Sequence, residues 1–208
     1  GSSVQIRLQA LQQAFFDPGE FEFKYEQQRT LTAEEAFAAR NGNCMSFTSL
    51  FVALARSVGL PTFLVTVKRQ PDVEMEDGLV VVNRHVVAGY RSPNRIYTYD
   101  FYVSSTTPVV NRRIIDDLTA SAIYHTNMGG LAIREGDLDG AIHNLEIATA
   151  LAPDWAPAWV NLGVTYGRME DDDAAFEALQ KALEAEPGNS SALTNLSKLY
   201  REQGRNEE

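Results

Sequence analysis

The chain contains one cysteine, and its neighbours make it the first residue to consider. Cys44 follows Asn41-Gly42-Asn43, a turn-forming triplet. It opens a stretch with Phe47, Leu50, Phe51, Leu54 and Val58 at helical spacing. A thiol on the first turn of a helix meets unpaired backbone N–H groups and the positive end of the helix dipole. Both favour the thiolate. The same N–H groups can hold a developing oxyanion. The alternative is a buried, inert cysteine that only fills space.

A nucleophilic thiol needs a base. His85 lies in the strand-like run Leu79–Tyr90, and Asp100 lies in the run Ile96–Val103. Arg91-Ser92-Pro93-Asn94 reads as a four-residue turn with proline at its second position. Closing that turn sets Tyr90 opposite Arg95, and His85 opposite Asp100 on the same face, with Cβ atoms ~5 Å apart. A carboxylate there fixes one ring nitrogen and leaves the other for a nucleophile. The alternative is a solvated cross-strand pair. Against it, Asp100 is set among Tyr97, Tyr99, Phe101, Tyr102 and Val103, where a carboxylate needs a partner. The candidate catalytic set is therefore Cys44, His85 and Asp100. The Cys44 backbone N–H, Asn43 and Asn41 are candidates for the oxyanion, although turn geometry explains both asparagines equally well. The acidic segment Gln70–Gly78 either rims the cleft for a basic substrate or is a solvated loop, and the loop is the expectation.

These residues require a particular scaffold. Val4, Leu8, Leu11 and Phe15 predict a helix over Val4–Phe16, broken by Asp17-Pro18-Gly19. Thr32-Ala33-Glu34-Glu35 is a capping box opening a short helix to about Arg40. The helix from Cys44 is stopped by Gly59-Leu60-Pro61. Strand-like runs follow at Thr62–Lys68, Leu79–Tyr90 and Ile96–Val103. Helices precede strands without βαβ alternation, so the fold class is α+β. The domain is expected to span 4–118, with Ser104–Leu118 as a linker.

The segment Thr32–Val67, with Arg40-Asn41-Gly42-Asn43-Cys44-Met45-Ser46 and then Arg56-Ser57-Val58-Gly59-Leu60-Pro61, resembles the core of the transglutaminase-like superfamily, relatives of papain-like cysteine peptidases. In that family a cysteine opens a helix, and a histidine and an aspartate follow on neighbouring strands. Here they follow at intervals of 41 and 15 residues. The resemblance covers roughly residues 20–105. It implies an α+β, papain-like fold and a Cys-His-Asp triad. Two positions depart from it: His85-Val86-Val87 stands where an aromatic often follows the histidine, and Phe101 replaces the usual proline.

The remainder of the chain repeats itself. At a spacing of 34 residues, Met128-Gly129 aligns with Leu162-Gly163, Ala132 with Tyr166, Ala141 with Ala175, Leu145 with Leu179, Ala148 with Ala182 and Pro153 with Pro187. Leu193, Leu196 and Tyr200 begin a third copy. This pattern resembles the tetratricopeptide repeat (TPR) and implies an all-α helical array over 119–208. Its copies fall at about 122–155, 156–189 and a partial 190–205. Small residues at 129, 141, 163 and 175 let paired helices approach, and Pro153 and Pro187 end the second helices. His125 and His143 read as ordinary helix residues.

Composition narrows the function. The 208 residues carry 18 basic and 28 acidic side chains, net −10. Residues 1–120 hold 12 basic and 13 acidic residues, and residues 121–208 hold 6 and 15. An acidic chain argues against nucleic acid as the partner. No 18-residue apolar run offers an integral membrane span. One cysteine and three histidines argue against a multi-cysteine or histidine-rich metal cage, and no cofactor is expected. Gly1-Ser2-Ser3 reads as the remnant of an expression tag, so a signal or lipid anchor upstream is compatible with the sequence. A bacterial periplasmic or envelope location, as a lipoprotein, is favoured over the cytoplasm. The combined reading is a cysteine-dependent acyl-transfer enzyme, a peptidase, amidase or transamidase acting on a protein or peptide, with a TPR groove for a protein partner. The alternative is an inactive scaffold of the same fold. A third reading has the repeats covering the cleft as a specificity or autoinhibitory element.

Overall fold

The structure is a computed structural model that describes residues 2–69, 73–76, 79–82, 85–100 and 109–202. The chain divides into two compact units, residues 1–70 with 84–116 and residues 71–83 with 117–208.

The first unit begins with helix α1 (Ser2–Phe16). A short strand β1 (Lys24–Tyr25) pairs in parallel with β2 (Asn41–Gly42) on either side of α2 (Ala33–Ala39). Thr32 caps α2 with both halves of a capping box, the Glu35 carboxylate accepting from the Thr32 N–H at 2.9 Å. Helix α3 (Cys44–Ser57) starts at the cysteine, and Gly59 at φ +73° follows its end. Buried Phe47, Leu50, Phe51 and Ala55 give it an apolar face. The sheet comprises β3 (Phe63–Arg69), β6 (His85–Ser92), β7 (Arg95–Tyr99) and β8 (Val109–Ile115), all antiparallel, in the order β7-β6-β3-β8. Helices and a small antiparallel sheet thus coexist in this unit. Thr48 on α3 donates to the Val86 carbonyl at 3.0 Å, and Phe51 stacks on Tyr99 at 5.4 Å. The helix is therefore fastened to two neighbouring strands.

Three sequence expectations are corrected here. The run Leu79–Tyr90 is not one strand. Leu79–Val82 forms β5, which pairs with β4 (Val73–Glu76) as a separate two-stranded sheet, and β6 begins at His85. Part of the segment read as an acidic loop is therefore strand, Val73–Glu76 pairing in antiparallel register with Leu79–Val82; residues 70–72 and 77–78 lie outside the described residues. The stretch Ser104–Leu118 is not simply a linker. Val109–Ile115 is β8, an outer strand along β3, and its exposed Arg112 and Arg113 are the charged side chains that edge strands commonly carry. Residues 104–108 lie outside the described residues, as do 101–103 of the third predicted strand and 203–205 of the third repeat.

The second unit is built from α4 (Asp117–Glu135), α5 (Leu138–Leu151), α6 (Ala156–Arg168), α7 (Asp172–Ala185) and α8 (Ser190–Glu202), with β5 lying against α8. The 34-residue period has a steric origin. A Cβ on Gly129 would sit 2.6 Å from Leu145, and one on Gly163 would sit 2.7 Å from Leu179. Only glycine lets α4 approach α5, and α6 approach α7, at this distance. Ala141, Leu145, Leu162 and Ala178 share one core cluster, and Val160, Leu179, Ala192 and Leu196 share the next. Each helix pair therefore completes its core on its neighbour, as expected of a stacked repeat. Within the array, His125 Nδ1 donates to Asn144 Oδ1 at 3.1 Å, and His143 is exposed. Among the described residues, no helix is long and apolar enough to cross a membrane, and no cluster of three or more His, Cys, Asp or Glu is poised for a metal ion.

Candidate functional site

Cys44 is the first residue of α3, and the backbone around it is tightly held. Gly42 has φ +147°, and a Cβ there would fall 2.5 Å from Ser46 Cβ. Only glycine lets the chain turn this closely onto the helix. Asn43 is the N-cap: its Oδ1 accepts from Met45 N and Ser46 N, both at 3.1 Å, and its Nδ2 donates to Thr30 Oγ1 at 2.7 Å. Asn41 Nδ2 donates to Glu26 Oε1 at 2.9 Å. Both asparagines thus have their amide nitrogens engaged with the scaffold. The Cys44 N–H, at the first helical position, has no carbonyl within α3 to meet.

Asn43→Ala is expected to destabilise the first unit by about 1–2 kcal/mol, the usual cost of a lost polar cap. A urea midpoint checks this. The same substitution should also raise the Cys44 thiol pKa, because the uncapped first turn frays.

Two groups meet the Cys44 sulfur. His85, the first residue of β6, hydrogen-bonds the thiol, and the Val86 N–H donates to the sulfur. His85 Nε2 lies 2.6 Å from Asp100 Oδ1, and the two side chains are only 12% and 15% exposed. With Nε2 committed to the carboxylate, Nδ1 is left for the sulfur. Burial pushes the Cys44 thiol up, but the His85 hydrogen bond and charge, together with the Val86 N–H, outweigh it, so the thiol lies below its usual value. Burial likewise pushes His85 down, while hydrogen bonds to Asp100 and Cys44 and both negative charges raise it to about 9. The two shifts agree in direction: each group favours the charged form of the other.

The hairpin that brings His85 to Asp100 differs from the one read in the sequence. Ser92 pairs with Arg95, Tyr90 with Tyr97 and Ala88 with Tyr99. The loop is the two residues Pro93-Asn94 rather than four, so the register is displaced by two. Asp100, one step beyond the end of β7, falls level with Val87 rather than His85. Because the side-chain period of a strand is two, a two-residue shift keeps both residues on one face and turns a direct pair into a diagonal one.

One residue of this neighbourhood escaped the sequence reading. Gln12 on α1 donates from Nε2 to the Asp100 main-chain carbonyl at 2.8 Å. It is 88 positions away in the chain, and no local pattern marks it.

Comparison with known proteins agrees with this architecture. Residues 4–100 match the transglutaminase-like superfamily, and residues 156–189 and 178–208 match tetratricopeptide repeats. The chain carries a transglutaminase-like domain followed by tetratricopeptide repeats. Curated relatives match over shorter stretches. The PEX5-related protein of Homo sapiens is 40% identical over 72 residues, 35% of this chain and 12% of that protein. The peroxisomal targeting signal receptor of Yarrowia lipolytica is 39% identical over 69 residues, 33% of this chain and 12% of the receptor. The photosystem I assembly protein Ycf3 of Prochlorococcus marinus is 34% identical over 86 residues, 40% of this chain and 49% of that protein. The transglutaminase-like and TPR chain thus spans about an eighth of the first two relatives. A crystal structure of MamA is similar with a TM-score of 0.41 and 29% identity, over 43% of this chain and 52% of that one.

Proposed function

We propose that the transglutaminase-like domain is a cysteine-dependent acyl-transfer enzyme with a papain-like arrangement of Cys44, His85 and Asp100. The observation that carries this reading is the buried contact of 2.6 Å between His85 and Asp100, on an imidazole that also hydrogen-bonds the thiol. A histidine serving only as a polar plug needs no carboxylate on one nitrogen and sulfur on the other. The helix that begins at the cysteine and packs on an antiparallel sheet bearing the other two residues supports the papain-like assignment.

The steps follow from the protonation state. The Cys44 thiolate attacks an amide or ester carbonyl, forming a carbon–sulfur bond and an oxyanion. The Cys44 N–H is the donor nearest to hand for that oxyanion. The His85 imidazolium gives its proton to the departing amine or alcohol as the carbon–nitrogen or carbon–oxygen bond breaks, leaving a thioester. Neutral His85 then takes a proton from water or from an amine as it attacks the thioester. The carboxylic acid or new amide leaves, and the thiolate–imidazolium pair is restored. Asp100 holds the ring and stabilises its charge throughout.

The repeats, in the same proposal, bind a protein partner. Relatives named as a targeting-signal receptor and an assembly protein support that role. They also favour a second reading, in which the whole chain is a binding scaffold and the thiol idle. Labelling with iodoacetamide at pH 6 separates the two. The enzyme reading expects rapid modification of the wild type and none of Cys44→Ser, followed by turnover of peptide amides with water or amine acceptors. Modification at the rate of an ordinary thiol leaves the scaffold.

A further inference from the structure

We infer that Gln12 is a positioning residue for the site, acting on His85 through Asp100; this rests on the acyl-transfer reading above. Asp100 is the first residue beyond β7, and β7 is an outer strand of the sheet. Among the described residues, the ladder with β6 runs as far as Tyr99, which pairs with Ala88. The Gln12 amide supplies a fixed point for Asp100, at 2.8 Å from its carbonyl.

Helix α1 is a suitable anchor because it is fastened to the helix that bears the thiol. Phe15 meets Phe47 edge-on at 5.1 Å and Phe51 at 5.9 Å, and Phe16 stacks on Phe47 at 5.6 Å. Phe15 and Phe16 are three and four residues after Gln12, on the same side of α1. One helix thus holds α3 through its rings and Asp100 through its amide. Tyr99, stacked on Phe51, fixes the preceding residue to α3 as well. Nucleophile and carboxylate are tied to a common body, and the imidazole lies between them.

A carbonyl cap that merely steadied α1 would alter stability alone. A positioning role alters the thiolate. Gln12→Met keeps length and shape and removes the donor. In the full chain it should slow alkylation of Cys44 by iodoacetamide at pH 6 about five-fold, the worth of one neutral hydrogen bond, and move the acid limb of the pH–rate profile upward. It should have no further effect in a His85→Ala background, because the imidazole through which it acts is gone. Gln12→Glu, which sets an acceptor against the carbonyl, should produce a larger shift in the same direction and serves if Gln12→Met folds poorly. A Gln12 profile superimposed on the wild type, while His85→Ala still slows alkylation, overturns the inference and leaves the reading intact. An equal Gln12→Met effect with and without His85 also overturns it. Wild-type alkylation indifferent to His85 removes the reading, and the inference with it.

Discussion

His85→Ala slows iodoacetamide modification of Cys44 at pH 6 by about 10- to 100-fold and costs acyl transfer about 100- to 10,000-fold. Two effects combine. Without the imidazolium, the helix start and the Val86 N–H alone must offset the burial that pushes the thiol up. Few molecules then carry a thiolate below the usual thiol range. Those that do are somewhat more nucleophilic, because reactivity rises with basicity, which is why the alkylation loss is smaller than the change in thiolate population. Acyl transfer suffers more because His85 must also protonate the leaving group and then deprotonate the acceptor. Alkylation needs neither step. Comparing the two losses in one variant therefore separates activation of the thiol from proton transfer.

The same geometry sets the pH profile. The ion pair exists above the lowered thiol value and below the His85 value of about 9. Acyl transfer should rise with pH as the thiol ionises and fall as His85 gives up its proton near 9. Asp100→Asn removes the charge that holds this proton, so the alkaline limb should move down by about one unit or more. A limb unmoved by this substitution would mean that the carboxylate does not govern the imidazole.

How much of this could be read from the residues depends on the range of the interactions. The capping box at Thr32 and the helix begun at Cys44 are local, each settled within one helical turn, and both are present. The repeats were legible because a glycine must recur wherever helix backbones approach, and Gly129 and Gly163 do so at fixed spacing. The His85–Asp100 contact was reached with the wrong turn length. It remained reachable because any shift by two preserves the face, whereas a shift by one would have separated the residues. Strand β8 was missed because an outer strand needs apolar residues on one side only. Its Asn111-Arg112-Arg113 therefore reads as a connecting segment until β3 is there to pair with it. Gln12 was beyond any local signal, since a glutamine in a helix gains its meaning only when residue 100 folds beside it.

The largest loss of stability should come from Phe47→Ala. Phe47 is fully buried and, among the described residues, meets the rings of Phe15, Phe16, Phe23 and Phe51, with centroids 5.1 to 6.0 Å away. Removing it loses the transfer energy of a whole ring and leaves a void that neighbouring rings on three separate segments cannot close together. The expected cost is about 3–5 kcal/mol, read as a lower denaturant midpoint of the first unit. Phe47→Leu, which keeps most of the volume, should cost about 1–2 kcal/mol. The ring also joins α1 to α3, so the Ala variant should lose part of the rapid alkylation at pH 6 under conditions where it is still folded. The Leu variant should keep it. If Phe47→Ala retained wild-type alkylation at every pH while losing stability, the ring cluster would be a core and nothing more. The site would then depend on the hairpin of β6 and β7 without help from the first helix.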